Sequence, residues 1–216
     1  MRNNERFRRS GTTLSLLILI AASTQPGSAQ EGAADGHVEV LLTAAPGLPA
    51  AARVSMMEEA AAIWGNHGVT IEWLSPTIVR PVAQHRLRVL VVERRESSSN
   101  PGQAFTVGEL LRPATGHPIA MMSIESAQRL MASVRGRAGY ELIAVDHRRL
   151  GVLLGRALAH EIGHYLLDTS THARQGLMRP QFDALEFTDL RDGTFALDRT
   201  ASEWLKSRPG PFAYAR

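Results

Sequence analysis

Two histidines four residues apart, with a glutamate beside the first, form the stretch His160-Glu161-Ile162-Gly163-His164. On a helix, positions i and i+4 lie one turn apart on the same face, so both imidazoles can approach one metal ion. The glutamate can then reach a water held at that ion. With 8 His and 14 Glu among 216 residues, the pattern H-E-x-x-H is expected by chance roughly 0.02 times. Its single occurrence therefore carries weight. The chain has no cysteine, which excludes a disulfide framework, a cysteine nucleophile and any thiolate ligand. A zinc site here must be built from His, Asp or Glu.

A catalytic zinc ion takes three protein ligands and keeps a fourth position open, so the pair needs a partner. Asp168 continues the same stripe, yet three ligands at i, i+4 and i+8 on a straight helix would span about 12 Å of rise. That is too far to converge on one ion. The third ligand must come from chain that turns back. Asp168-Thr169-Ser170-Thr171 is polar and poor in helix formers, suited to end the helix. His172 is placed just beyond it.

The histidines need a helix to carry them, and the sequence supplies one. Asp146 is a natural N-cap for a long helix bearing Leu150, Leu153, Leu154, Ala157 and Leu158. Upstream, residues 37–43 read as a strand. Val54, Met57, Ala61 and Trp64 then fall on one helical stripe, stopped by Gly65 and Asn66. Val69, Ile71 and Trp73 alternate as a half-buried strand would, and residues 87–92, apolar on both faces, predict a strand in the middle of a sheet. A polar loop over 93–103 precedes a strand at 119–124, a helix near 126–134 and a short apolar segment at 142–145. Beyond Leu167 the regularity stops, except for an amphipathic piece over 197–205, with Phe195, Trp204 and Phe212 as candidate core residues. There is no internal repeat. One α+β domain over residues 37–216 is the expectation.

The formal charge of +3 and a pI near 9.9 invite a nucleic-acid reading, which the N-terminus undoes. Arg2, Arg6, Arg8 and Arg9 precede an apolar run over 14–22 and a small-residue stretch ending Gly27-Ser28-Ala29, the layout of a secretory signal peptide over residues 1–29. The run is far shorter than the roughly 18 residues of a stable membrane span, so no membrane anchor is expected after the signal is removed. Without the signal, 20 basic and 20 acidic residues remain, and nucleic acid loses its support as a partner. Residues 30–36 read as a flexible leader.

Downstream of His172 comes Gly176-Leu177-Met178-Arg179-Pro180, and with it the sequence resembles the metzincin clan of zinc peptidases, most closely its matrixin-like members. In that clan a helix ends in H-E-x-x-H, a third histidine follows a tight turn, and a methionine turn underlies the metal. The resemblance implies Zn2+ held by His160, His164 and His172, Glu161 as general base, and Met178 as the turn methionine. It implies a zincin-like α+β fold: a mixed twisted sheet, a long active-site helix and a small C-terminal subdomain. The implied protein is an exported endopeptidase, monomeric, acting on peptide or protein substrates.

The chain departs from the clan's extended motif, which would set Gly at 167 and His at 170. Leu167 and Ser170 stand there, with histidine two positions later, so the turn out of the helix is expected to be longer or differently shaped. Two alternatives follow. One is a zinc peptidase taking its third ligand from a downstream acid, Glu186 or Glu203, as in the clan that uses glutamate there. The other is a catalytically degenerate, zinc-stabilised binding domain.

Overall fold

The computed structural model describes residues 36–75, 86–94, 106–138, 146–189 and 195–207. The expectations for residues 1–35, for the loop beyond residue 94, for the segment 142–145 and for Phe212 lie outside the described residues. The elements run β1 (Gly36–Ala44), α1 (Ala50–Gly65), β2 (Val69–Leu74), β3 (Arg86–Val92), β4 (Gly108–Leu111), β5 (Ile119–Ser123), α2 (Ile124–Ala138), α3 (His147–Leu166), α4 (Ala184–Thr188) and α5 (Arg199–Ser207). The fold is α+β, with five strands in the order β2-β1-β3-β5-β4. All neighbours are parallel except β4, which runs antiparallel to β5 and closes one edge.

Period-two alternation builds the sheet's buried face: Val38 and Val40 of β1, Leu87, Val89 and Val91 of β3, Ala120 and Met122 of β5. As expected, β3 is the central strand. Its other face is less covered than an all-apolar run implies, since Arg88 is exposed and Leu90 and Val92 are half-buried. The same side carries a pair in which Arg86 donates from Nε and Nη2 to Glu39 Oε2, at 2.9 and 2.7 Å. Gly36 opens β1, so the predicted leader ends one residue sooner.

The face of α1 is a correction. The core takes Ala52, Met56, Ala60, Ile63 and Trp64, whereas Val54 is 48% exposed and Met57 and Ala61 are half-buried. Arg53, Ser55, Glu58 and Glu59 are spread round this helix among its apolar residues, so its own sequence does not choose a face. Helix α3 chooses it. Gly151, Gly155, Ala159 and Gly163 make a stripe of small residues at i, i+4 spacing. Against it the α1 backbone comes so close that a Cβ on Gly151 would overlap the Ala52 carbonyl oxygen. One on Gly155 would lie 2.7 Å from Met56 O. At the far end Trp64 Nε1 donates to Ala159 O at 3.0 Å.

Helix α3 begins where Asp146 accepts from the backbone N–H groups of Arg148 and Arg149, the N-cap read from the sequence. Almost every residue from Leu150 to Leu166 is buried. Arg156, 1% exposed, is fully engaged: it donates to Glu59 Oε1 at 2.8 Å and to the carbonyls of Glu186 and Phe187, and its guanidinium lies over the Phe195 ring. Leu177, Met178, Phe187, Phe195, Leu197 and Leu205 join the same buried cluster as the sheet and α1. Two elements have no counterpart in the sequence reading. Strand β4 is only four residues long and α4 five, too short for a periodic pattern. No helix among the described residues is long and apolar enough to cross a membrane.

The glycine stripe can be tested. Gly151→Ala gains about 1 kcal/mol of helix propensity, but the new methyl meets a main-chain oxygen that cannot rotate away, and overpacking of this kind costs about 1–3 kcal/mol. The expected net is a melting midpoint lower by a few degrees, since each kcal/mol moves a domain of this size by roughly 2–4 °C. A higher midpoint would contradict the packing described.

Candidate metal centre

His160 and His164 sit on the last two turns of α3. Each is fixed from behind by a backbone carbonyl: His160 Nδ1 bonds Leu177 O and His164 Nδ1 bonds Thr169 O, both at 2.8 Å. A carbonyl only accepts, so each Nδ1 carries the hydrogen and, in a neutral ring, each Nε2 carries a lone pair. These two Nε2 atoms face each other at 3.0 Å. Two lone pairs at that distance repel unless a cation or a shared proton lies between them.

A proton is disfavoured. Burial pulls His160 down from 6.5 to about 4, and His164 and His172 push the same way against the bond to Leu177. His164 is lowered too, by burial first and then by His172 and Arg112, against its bond to Thr169. The arrangement therefore suits a metal ion. Orientation of ligand imidazoles by backbone carbonyls is the usual supporting shell of such a site.

His172 completes the group. Its ring centroid lies 5.3 Å from that of His160, stacked, and 4.9 Å from that of His164, edge-on. One nitrogen from each of the three rings falls within 4.8 Å of the others, close enough to bind one metal ion. Donors on a tetrahedral ion at about 2.0–2.1 Å stand roughly 3.3 Å apart, and the Nε2 atoms of His160 and His164 are near that spacing already. His160 is half-buried, His164 buried and His172 exposed, so the group opens to solvent on one side. The two downstream acids are engaged elsewhere: Glu186 pairs with Arg179, and exposed Glu203 with Arg199.

The chain reaches His172 by an unusual helix ending. Leu166 is the last helical residue and Leu167 the C-cap. Asp168 takes the left-handed conformation, φ 47°. Asp168 N then donates to Tyr165 O at 3.4 Å and Thr169 N to His164 O at 3.3 Å, the paired bonds of a Schellman ending. Glycine usually fills that position; Asp and Asn are the side chains that tolerate it best. Leu167, where the clan's motif has glycine, stays right-handed. The reversal comes one residue later, at Asp168. The polar segment after it folds on itself through Thr171 N and Thr169 Oγ1, at 3.0 Å.

On the neighbouring edge of α3, Met178 is buried against Gly163, where its sulfur and methyl occupy the space a Cβ would need. The methionine read from the sequence thus packs on the residue that precedes His164. Glu161 is buried, 6% exposed, and reaches towards the start of β4: a Cβ on Gly108 would lie 3.1 Å from Glu161 Oε1. Phe182 stands edge-on to His160, with centroids 6.2 Å apart, and its face carries the Arg179 guanidinium. Tyr165 is partly buried, which pushes its hydroxyl up to about 12.

Sequence reasoning missed Gly108, Arg112, the Thr169 and Leu177 carbonyls, and Phe182. A main-chain carbonyl leaves no mark in a sequence, and Arg112 is one of 23 arginines. No known family model matches this chain, and no curated protein sequence matches it either.

The pH dependence follows from the two lowered histidines. An unfolded imidazole takes a proton near 6.5, whereas folded His160 resists it down to about 4. Between those values the unfolded state binds more protons, so stability is present above about 6.5 and is lost as the pH falls towards 4. Denaturant unfolding of chelator-treated protein is expected to weaken steadily over that window, and His160→Asn to flatten the slope. An unchanged slope in the variant would contradict the assignment.

Proposed function

We propose that this chain is an exported zinc-dependent endopeptidase of the metzincin type, with His160, His164 and His172 as metal ligands and Glu161 as general base. The observation that carries this reading is the convergence of three imidazoles beside a buried glutamate at the end of one helix. Three imidazoles with no sulfur donor suit a catalytic zinc, which keeps its fourth position open. When bound, the ion supplies Lewis acidity, lowering the pKa of a water towards about 7 and polarising a carbonyl.

The protein's own residues account for the rest. Glu161 takes a proton from the attacking water at a carboxylate oxygen and returns it to the leaving amine. Its burial beside Gly108 keeps that carboxylate next to the edge strand β4, at a residue that has no side chain of its own. Among the described residues β4 pairs with β5 alone, and an extended peptide can add to such an edge through main-chain hydrogen bonds. Met178, packed against Gly163, supports the last turn of α3 beside His164. The signal-like layout of residues 1–29 supports export.

The deciding comparison is Glu161→Gln against the wild type, each loaded with zinc. The variant is expected to keep one zinc per chain and lose cleavage of an unstructured protein substrate by about 10²–10⁴-fold, the usual share of a general base. Full activity in the variant would overturn the role of Glu161. Zinc binding that raises the melting temperature, with no peptide cut even by the wild type, would instead favour a zinc-stabilised binding domain.

A further inference from the structure

Arg112 lies just past β4, 52 residues before His164, yet its guanidinium reaches the end of α3. Nη2 donates to the His164 carbonyl at 2.8 Å, and Nη1 pairs with Asp168 Oδ1 at 3.0 Å. One fork therefore holds the main chain of a metal-ligating residue and the side chain of the residue that reverses the helix. We infer that Arg112 is a positioning residue of the metal centre, holding His164 and the turn to His172 in the geometry that binds the ion; this rests on the metal-site reading above.

Three observations carry it. The His164 carbonyl is one of the last four of the helix, which have no partner within it. Its bond from Thr169 N is long, 3.3 Å, and the short one comes from Arg112. Asp168 holds a left-handed conformation without being glycine, a state that persists where surrounding contacts enforce it, and its carboxylate is held by the same guanidinium. Finally, His164 Nδ1 bonds the Thr169 carbonyl, so residues 164–169 form a closed ring, and Arg112 ties two of its members, His164 and Asp168, to the end of β4. His172 emerges three residues beyond that ring. A rigid turn sets its imidazole beside the buried pair; a loosened one lets it swing into solvent.

An ordinary helix cap would also use a cation at a C-terminus, but it would affect folding alone. A positioning residue affects the metal. Supporting groups behind metal ligands typically alter affinity 10–100-fold, and planar arginine can bridge two acceptors where lysine reaches one.

The test is zinc affinity by chelator competition, with the visible spectrum of the Co2+ form, for wild type, Arg112→Ala and Arg112→Lys. Melting of the metal-free proteins is followed alongside. Arg112→Ala is expected to bind zinc 10–100-fold more weakly with an altered Co2+ spectrum, and Arg112→Lys to recover part of the loss. Metal-free melting should change little beside that. Zinc binding within twofold of wild type in Arg112→Ala overturns the inference, as does a loss of affinity that only mirrors a collapse in metal-free stability. Should Arg112→Ala not fold, Arg112→Lys decides: severalfold weaker binding supports the inference and wild-type affinity overturns it. Wild-type protein that binds no zinc sinks the metal-site reading together with this one, whereas tight binding by all three sinks this inference alone.

Discussion

The contact between α3 and α1 is the constraint from which the rest of the structure takes its positions. One edge of α3 is stripped to Gly151, Gly155, Ala159 and Gly163, so a second helix backbone can press against it and Met178 can fill the last notch. Without side chains on that edge, α3 can be buried on nearly every side. A helix held this way cannot roll. The adjoining stripe, with His160 and His164, is therefore fixed in space by packing that runs from Gly151 to Gly163, the residue just before His164.

The site's electrostatics follow from that burial. Two imidazoles partly withdrawn from water and bonded behind to carbonyls resist protonation, and their Nε2 atoms face each other at 3.0 Å. Such a pair is costly by itself and favourable around a cation. The stability cost is met by core packing, and His172 reaches the site from exposed chain. A buried scaffold with one exposed ligand combines rigidity with access. The end of the helix then matters as much as its middle, because the turn at Asp168 decides where the exposed ligand goes.

Much of this was legible in the sequence because it is local. The i, i+4 spacing of His160 and His164 needs only helical geometry, Asp146 announces its helix start, and the polar residues after Leu167 announce its end. His172 followed from the argument that a straight helix cannot supply a third ligand. The face of α1 was not legible, because its apolar and polar residues are interspersed round the helix and the choice is made by glycines a hundred residues later. Strand β4 is too short to show alternation and acquires its meaning from β5 and Glu161. Arg112 was hidden for a similar reason: a cap supplied across 52 residues looks like any surface arginine until the chain is folded. The displaced glycine of the clan's motif was read as a departure, and its physical resolution is an aspartate in the left-handed region one position on.

The central claim is that His160, His164 and His172 together hold one ion. X-ray absorption at the zinc edge, on protein loaded with one equivalent, addresses it most directly. The account predicts three imidazole nitrogens at about 2.0–2.1 Å with one further light atom, and the loss of one imidazole in His172→Ala. A spectrum with two imidazoles and a carboxylate in the wild type, unchanged by His172→Ala, would contradict it.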